Sequence, residues 1–457
     1  MTSDAVTSDA VTSQAATSEA VASEAGGRRL RQVDVLVIGA GPAGLTAAAA
    51  LSRLGAGRVE VVDRELVAGG IPRHSQHVGY GVRDLHRVLS GPQYARRLVD
   101  DAVAAGAVLR VGVSVTGWAD SGAGTGGDPP APAALVTSRS GVATVQARAV
   151  VLATGARERP RAARGVPGVR GDGIYTTGQL QQAVYLHHQR IGTRAVIVGA
   201  EHVSFSAAMT LDHAGVDVVA MVTHRVRQQS YLAFRAGAAM LYRFPVLTGC
   251  AVQRIVGSGG RVQGVEVVHP GGTVQTLPCD TVVFTGDWVA DNELARTAGL
   301  VMDAASTSPL VDTELRTSRP WVYGAGNLLH PVLTADAAAM DGHAVARAVV
   351  ADLRRHDEGS GSPRRAGVGV AVTVSAPLRW VAPARIVDPG AAPARGRFVL
   401  WADDFLLTPR IEVRQGDRLL YSSRLPRALV PGRPFEIGAG WLPRVVDDGP
   451  DVTVTAR

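Results

Sequence analysis

Short runs of β-branched and other apolar residues alternate with amphipathic stretches along most of the chain. From Gln32 onwards, VDVLVIGA predicts a strand buried on both faces, and GPAGLTAAAALSRLG predicts the helix that follows it. RVEVVDRE and RAVVLATGA are further predicted strands, with a predicted helix, PQYARRLVDDAVAAG, between them. This order of strand, turn, helix and strand predicts a parallel sheet with helices packed on it.

The same order begins again at RAVIVGA, which predicts the first strand of a second unit. A predicted helix, FSAAMTLDHAG, and a predicted strand, VDVVAMV, follow it. VQRIVGSGGRVQGVEVV predicts a hairpin that turns at Gly259 and Gly260. The chain then returns through CDTVVFTGD and PWVYGAGNLL to a long predicted helix. We therefore expect an α/β fold in which one doubly wound, Rossmann-like domain is inserted into another.

The two ends of the chain have different patterns. Residues 1–29 repeat small and acidic residues in groups of five, which predicts a disordered low-complexity tail. A Gly- and Ser-rich linker is predicted at 357–367, and the short alternating stretches of 368–457 predict a small β-sandwich-like domain. The predicted α/β domains lie between these ends: the first at 30–163 with 288–356, and the inserted one at 164–287.

Composition narrows the possible chemistry. Every basic residue is Arg, which excludes Schiff-base and Walker-type lysines, and the scattered arginines do not indicate nucleic-acid binding. The chain has two cysteines, Cys250 and Cys279, and no C-x-x-C, so we expect buried thiols rather than a dithiol redox pair or a metal site. No apolar run approaches the roughly 18 residues of a membrane span. A cytoplasmic protein is expected.

The turn after the first strand carries a complete dinucleotide-binding pattern. Its six residues, Gly39 to Gly44, read G-x-G-x-x-G between a predicted strand and a predicted helix. The first glycine permits the tight turn, Gly41 lets the backbone approach a pyrophosphate, and the third lets the helix pack on the strand. Asp63 ends the second predicted strand, where an acid accepts a hydrogen bond from a ribose hydroxyl. A dinucleotide site is therefore predicted here.

The corresponding turn of the second unit has lost most of this pattern. Gly199 stands at the first glycine, Glu201 at the second and Ser204 at the third, and Val222 ends the next strand in place of an acid. A carboxylate beside a pyrophosphate is repelled by roughly 1 kcal/mol in water, and by several at a dielectric near 20. We expect the Rossmann-like frame to persist without productive NAD(P)H binding.

Several motifs resemble those of a known group of flavoproteins. VDVLVIGAGPAGLTAAAALSRLG, VVLATGARERPR and VYGAGNLL look like flavoproteins with two dinucleotide-binding domains, the group that contains thioredoxin and glutathione reductases. GGIPRHSQHVGYG, GIYTTGQLQQAVYL and GDWVADNELARTAGL resemble FAD-containing alpha-type subunits of opine oxidase, hydrogen cyanide synthase and sarcosine oxidase, and flavoproteins that accompany glycerol-3-phosphate dehydrogenase. The resemblance covers about residues 31–355 and implies FAD as the cofactor.

The resemblance also implies which residues hold the flavin nucleotide. The loop Ala153-Thr154-Gly155 matches the one that closes over it where the two domains meet, and Gly326-Asn327 replaces a Gly-Asp that binds the ribityl chain and pyrophosphate. Asn keeps an acceptor and adds a donor while losing the charge. The full set of expected FAD-binding residues is Gly39, Gly41, Pro42, Ala43, Gly44, Asp63, Arg64, Gly70, Ala153, Thr154, Gly155, Gly326 and Asn327.

The catalytic candidates lie in the segment that the resemblance places beside the isoalloxazine ring. Arg73, His74 and His77 are candidates to stabilise a reduced-flavin anion or to guide an anionic substrate, and His330 is a further candidate near the flavin. The alternative is a glycine-rich surface loop with solvated polar side chains, and a structural role for His330.

The stretch Thr223–Arg227 leaves open whether a nicotinamide cofactor binds. It resembles the His- and Arg-rich segment by which thioredoxin reductases hold the 2′-phosphate of NADPH, so His224 and Arg225, with Gly199 and Glu201, form the candidate second nucleotide site. A solvated loop is the alternative.

The function predicted from these residues is that of an FAD-dependent oxidoreductase without a dithiol, exchanging electrons with a small-molecule substrate, a partner dehydrogenase subunit or an iron–sulfur protein. The alternatives are a stand-alone NAD(P)H-dependent reductase and a non-catalytic FAD-binding subunit.

Overall fold

The computed structural model describes residues 29–119, 130–230, 244–360 and 369–457. The predicted N-terminal tail up to residue 28, part of the loop before residue 130 and most of the predicted linker lie outside the described residues. The described helices are α1 (Pro42–Arg53), α2 (Gly91–Ala104), α3 (Thr177–Gln181), α4 (His202–His213), α5 (Glu293–Thr297) and α6 (Ala335–Asp357).

The described strands follow in chain order: β1 (Arg29–Ile38), β2 (Val59–Asp63), β3 (Val78–Tyr80), β4 (Leu89–Ser90), β5 (Val108–Val111), β6 (Ser114–Trp118), β7 (Ala133–Ser138), β8 (Gly141–Leu152), β9 (Ala156–Glu158), β10 (Ile174–Thr176), β11 (Arg194–Val198), β12 (Asp217–Thr223), β13 (Val246–Thr248), β14 (Ala251–Ser258), β15 (Arg261–Val268), β16 (Val274–Pro278), β17 (Thr281–Phe284), β18 (Trp288–Ala290), β19 (Val322–Gly324), β20 (Val370–Val374), β21 (Leu378–Ala382), β22 (Arg385–Ile386), β23 (Arg397–Ala402), β24 (Arg410–Gln415), β25 (Arg418–Arg424), β26 (Phe435–Gly438) and β27 (Val452–Ala456).

The first unit is a sheet in the order β5-β2-β1-β8-β7-β6, with β19 also paired to β8. Strands β5, β2, β1, β8 and β19 run parallel, and β7 and β6 add an antiparallel edge. Helices α1 and α6 pack together so closely that a Cβ at Gly342 would lie 2.4 Å from the Ala43 carbonyl oxygen. Because β1 and β8 are parallel neighbours, the turns that follow them meet at one edge of the sheet.

The second unit repeats this arrangement on a smaller scale. Its sheet has the order β10-β17-β11-β12-β13, with all pairs parallel. Helices α3 and α4 cover one face, while the antiparallel sheet β14-β15-β16 covers the other. The predicted hairpin is confirmed, since β14 and β15 pair across Gly259 and Gly260. A two-stranded ribbon of β9 and β18 links the two units.

Residues 369–457 form two sheets that face each other, as the predicted β-sandwich requires. One has the order β22-β20-β27-β24-β25 and the other β21-β23-β26. Between them lies an apolar core in which the rings of Trp441 and Phe398 stack with centroids 4.9 Å apart. The predicted α/β fold with a β-sandwich-like C-terminal part is thus confirmed, and the exact domain boundaries stay predictions.

No helix in the described part of the chain is both long enough and apolar enough to cross a membrane.

Candidate functional site

The turn between β1 and α1 has the geometry of an open cradle. Gly39 has a φ of +110°, and a Cβ there would lie 2.3 Å from the carbonyl oxygen of Ala153. A Cβ at Gly44 would lie 1.9 Å from the Gly39 carbonyl oxygen, so the helix packs against the turn itself. At Gly41, by contrast, no atom lies within 4 Å of an added Cβ. The side of the turn predicted to face a pyrophosphate is therefore open.

The start of α1 is suited to bind an anion. Pro42 is its first residue, and no side chain caps the amide groups of its first turn. Such amides, together with the helix dipole, attract phosphate groups. The residues of this turn therefore fit the pyrophosphate of the predicted FAD.

Asp63 holds the shape of this cradle. Its Oδ2 accepts a hydrogen bond from the Ala40 amide at 2.6 Å, and its Oδ1 accepts one from the Glu65 amide at 2.8 Å. A carboxylate has about four acceptor positions, so two remain for the predicted ribose contact. The exposed side chain of Arg64 lies 3.3 Å from Asp291, and its predicted nucleotide contact stays a prediction.

The loop Ala153-Thr154-Gly155 lies beside the cradle. The Ala153 amide donates to the Ile38 carbonyl at 2.8 Å, which continues the pairing of β8 with β1. Thr154 Oγ1 donates to the Asp291 carbonyl at 2.7 Å, and Gly155 has a φ of +78°. The two segments predicted to hold the flavin nucleotide are thus brought together at the carboxyl ends of neighbouring strands.

The segment at Gly326 and Asn327 also reaches this edge. A Cβ at Gly326 would lie 2.6 Å from the Cβ of Ala43, at the start of α1. The Asn327 amide is already engaged with Leu333: Nδ2 donates to its carbonyl at 3.1 Å and Oδ1 accepts from its amide at 3.0 Å. One donor hydrogen and one lone pair remain, so the predicted contact of Asn327 with the flavin stays a prediction.

The glycine-rich segment around Gly70 crosses the open side of the cradle. A Cβ at Gly70 would lie 2.9 Å from the Cα of Gly41. Arg73 pairs with Glu65 at 3.1 Å, and His77 stacks on Tyr80 with ring centroids 5.1 Å apart. Gly70 therefore lies beside the open turn, and the roles of Arg73 and His77 at the flavin stay predictions.

His74 is buried, so the alternative of a solvated side chain is wrong for this residue. Its side chain is 4% exposed, and this burial lowers its pKa to about 4, against the opposing effect of a hydrogen bond with Gln181. An imidazole with this pKa is neutral near pH 7 and carries no charge to stabilise a flavin anion. The predicted role of His74 at the flavin is therefore that of a neutral hydrogen-bonding group, and it stays a prediction.

His330 belongs to a buried cluster of ionisable side chains. Its Nε2 lies 3.4 Å from Asp341 Oδ2, and the Nε of Arg395, from the sandwich, lies 3.7 Å from Asp341 Oδ1. All three side chains are less than a tenth exposed. These contacts favour the structural role over the catalytic one.

The turn between β11 and α4 has the same frame but a filled interior. The Gly199 amide donates to the Val222 carbonyl at 2.8 Å, as the Gly39 amide does to Val62. The Glu201 side chain folds back towards the sheet, where its Oε2 accepts from Ser204 Oγ at 2.9 Å and lies 3.2 Å from Thr285 Oγ1. Burial raises the pKa of this carboxyl group, against the opposing effect of these hydroxyl contacts.

Sequence patterns alone did not reveal the partners of Glu201. Thr285 follows β17 and is separated from Glu201 by 84 residues. Arg164 donates to the carbonyls of Thr285 at 2.9 Å and Gly286 at 2.8 Å. The buried Glu158 accepts from the Gly286 amide at 3.1 Å. These residues stabilise the filled turn, and only the pairing of β11 with β17 brings them to Glu201.

The candidate phosphate-binding loop after β12 is exposed at His224, Val226 and Arg227, whereas Arg225 is half-buried. Arg225 Nη1 donates to the carbonyl of Asp403, in the sandwich, at 3.0 Å. The pKa of His224 is lowered by burial and by the neighbouring Arg225. Arg225 therefore contacts the sandwich while its neighbours in the loop are exposed, and its NADP(H) contact stays a prediction.

Both cysteines are buried, as predicted. Cys250 is 2% exposed and Cys279 4%, and neither forms a disulfide. Burial and the neighbouring Asp280 raise the pKa of Cys279 to about 12, so its thiolate is scarce near neutral pH. Among the described residues, no group of three or more His, Cys, Asp and Glu side chains is arranged to hold a metal ion.

Known proteins share this architecture. The family model of pyridine nucleotide-disulphide oxidoreductases matches residues 33–342. An opine oxidase subunit of Rhizobium meliloti is 28% identical over 345 residues, which cover 70% of this chain but only 63% of that protein. Ferredoxin--NADP reductase of Salinispora tropica is 30% identical over 308 residues, covering 65% of this chain and 87% of that protein.

A solved structure matches at the level of the fold. The thioredoxin reductase of T. acidophilum superposes with a TM-score of 0.59 at 23% identity, covering 71% of this chain and 99% of that one. The family match and the sequence relatives confirm the prediction of an FAD-dependent oxidoreductase. The chain belongs to the pyridine nucleotide-disulphide oxidoreductase family.

Proposed function

We propose that this oxidoreductase exchanges electrons between one bound FAD and a small-molecule substrate or a partner protein, without NAD(P)H and without a dithiol. The observation that carries the proposal is the difference between its two dinucleotide turns. The first is open at Gly41, whereas the second holds the carboxylate of Glu201 within its own turn.

The first turn supplies what an FAD site needs from the protein. The amides at the start of α1 would bind the pyrophosphate, Asp63 would accept from the ribose, and the 153–155 and 326–327 segments would enclose the nucleotide. Bound FAD supplies the capacity to take up and release an electron pair. The segment from Gly70 to His77 would shield its reacting end and orient what approaches it.

The second turn lacks what a nicotinamide dinucleotide needs. The second glycine position, where a pyrophosphate needs open backbone, is occupied by Glu201, whose carboxylate fills the turn and is held by Ser204 and Thr285. β12 ends in Thr223 rather than an acid, so no carboxylate stands where a ribose hydroxyl would be bound. These features support a structural role for the strand–turn–helix of the second unit, without a second bound cofactor.

A dithiol route receives no support either. The chain contains only two cysteines, and both are buried without a disulfide. Electrons would therefore pass directly between the flavin and a molecule outside the chain. The similarity to the opine oxidase protein favours a partner subunit in that role, while the similarity to a ferredoxin--NADP reductase favours the alternative of an NAD(P)H-dependent reductase.

Anaerobic mixing of the FAD-loaded chain with NADPH, and separately with NADH, distinguishes these two functions. We expect neither nucleotide to bleach the visible flavin absorbance, while dithionite bleaches it and an added acceptor restores it. Rapid bleaching by either nucleotide would establish the reductase and overturn the proposal. Flavin that dithionite fails to reduce would favour a non-catalytic FAD-binding subunit.

A further inference from the structure

The C-terminal sandwich contacts the second α/β unit through the loop that follows β12. The side chain of Gln229, only 4% exposed, donates to the Pro431 carbonyl at 2.8 Å. Arg225 donates to the Asp403 carbonyl at 3.0 Å in the same way. Both contacts join a side chain of the second unit to the backbone of the sandwich, so they depend on where that backbone lies.

The sandwich also lies against the second dinucleotide turn itself. A Cβ at Gly432 would lie 2.5 Å from the Gln229 amide nitrogen and 3.5 Å from the Cγ of Glu201. His202, the first residue of α4, has its pKa lowered to about 4 by burial and by the charge of Arg433. A pyrophosphate approaches a Rossmann-like unit at this helix start. The segment at 431–433 therefore covers the route to it.

The sandwich is also fixed to the first α/β unit. Trp380, Ala382 and Val399 form one apolar cluster with Leu333 and Ala337 at the start of α6. Arg395 reaches the buried Asp341 of the same helix, and the Ala384 amide donates to the Val311 carbonyl at 3.2 Å. One small domain thus contacts both larger ones.

Apart from the sandwich, a short two-stranded ribbon and a helix contact connect the two α/β units. The chain crosses between them in the two short strands β9 and β18, and α3 packs on the segment at Ile71–His74. Two chain crossings beside each other form a hinge about which two domains can rotate. A third domain that contacts both units restrains that rotation.

We propose that the C-terminal sandwich is a clamp that holds the two α/β units in one relative orientation and keeps the second dinucleotide turn covered. The clamp does not depend on which molecule donates electrons to the flavin. Its failure would therefore leave the proposed function untouched, and the failure of the proposed function would leave the clamp untouched. Its consequence is that the flavin works in a molecule whose two α/β units do not rotate relative to each other.

Spin labels on the two units test the clamp by the distance between them. Val103 on α2 and Val274 on β16 are exposed and are suitable for replacement by labelled cysteines, since Cys250 and Cys279 are buried. In the otherwise unchanged full chain, pulsed electron paramagnetic resonance should give one narrow distance distribution. A broad distribution there would overturn the proposal.

The contacts are then removed from the side of the second unit. The double variant Arg225→Ala/Gln229→Ala deletes the two hydrogen bonds to Asp403 and Pro431, and Arg227→Ala changes an exposed arginine of the same loop as the matched control. We expect a second distance population in the double variant and none in the control. A second population in both variants would assign the effect to the loop and overturn the clamp.

A variant on the sandwich side keeps the test decisive if the double variant folds poorly. Gly432→Ala places a Cβ against Gln229, and Gly215→Ala introduces the same backbone strain at a site with no atom within 4 Å. Gly432→Ala should broaden the distance distribution, while Gly215→Ala should leave it narrow. Unchanged distributions in both Gly432→Ala and the double variant would show that the sandwich does not restrain the units.

Discussion

Gly41 lies at the open side of the first dinucleotide turn, where no protein atom occupies the space that a side chain would take. Its φ is −83°, a value that any residue adopts, and the space around a Cβ there is empty. The apoprotein gains nothing from a glycine at this position, whereas a dinucleotide whose phosphates approach the backbone does. A side chain introduced at Gly41 should therefore weaken FAD binding without changing the stability of the apoprotein.

Gly41→Val tests this separation. We expect FAD affinity to fall at least about tenfold, about 1.4 kcal/mol, because the isopropyl group occupies the approach to the start of α1. The midpoint of urea unfolding of the apoprotein should barely change. Gly117→Val, at another open site of the same unit, is the control and should retain FAD. Equal FAD affinity in both variants would contradict the assigned site.

Glu201 shows where reasoning from sequence reached its limit. Aligning the two turns predicted a carboxylate at the second glycine position, and that residue does fill the turn. The direction of its side chain was beyond prediction, because the hydroxyl of Thr285 that receives it is distant in sequence. The burial of His74 was beyond prediction for a related reason, since a histidine in a glycine-rich segment gives no sign of how deeply its neighbours bury it.

The buried carboxyl of Glu201 makes stability depend on pH. Its pKa in the folded chain lies above the ordinary value of 4.5, so folding favours the protonated form and the free energy of unfolding falls as pH rises above that value. Glu201→Gln stays uncharged and should gain stability relative to the unsubstituted chain on going from about pH 4 to about pH 8, by about 1.4 kcal/mol for each unit of raised pKa.

Urea unfolding at several pH values measures this difference, with Glu358→Gln at an exposed position as the control. A difference between Glu201→Gln and the unsubstituted chain that stays constant with pH would contradict the burial of this carboxylate.

At the scale of elements, the contact between α1 and α6 places the dinucleotide turn. The backbones of these helices meet at Gly342, where a Cβ would lie 2.4 Å from the Ala43 carbonyl oxygen and 2.8 Å from the Ala47 amide nitrogen. Periodicity predicted both helices, because each has a continuous apolar face. The contact itself was not predictable, because a glycine within a helix does not indicate which other helix packs against it.

Gly342→Ala should force the two helices apart. We expect the free energy of unfolding to fall by about 1–3 kcal/mol, as for other overpacked contacts. FAD affinity should fall as well, because the start of α1 moves with its helix. Urea unfolding and flavin fluorescence measure the two effects, and Arg347→Ala on the exposed face of α6 is the control. Stability unchanged from that control would contradict the close packing.

At the scale of the whole molecule, the two α/β units differ in their dinucleotide turns, and the sandwich contacts both of them. The first α/β unit presents an open dinucleotide turn, and the second keeps the same strand–turn–helix frame with its interior filled. The sandwich was predicted from its alternating short strands, but its contacts use the backbone carbonyls of Asp403 and Pro431, which leave no trace in the sequence. Sequence patterns thus predicted the domains better than their assembly.

The number of dinucleotides bound per chain tests the central claim most directly. Native mass spectrometry of the FAD-loaded protein, with NADPH or NADH in excess, reports the mass of every stable complex. Because one turn is open and the other is filled, we expect a single FAD per chain. We expect no bound NADPH or NADH at concentrations low enough to keep nonspecific adducts negligible. A saturable second dinucleotide on the FAD-loaded chain would contradict it.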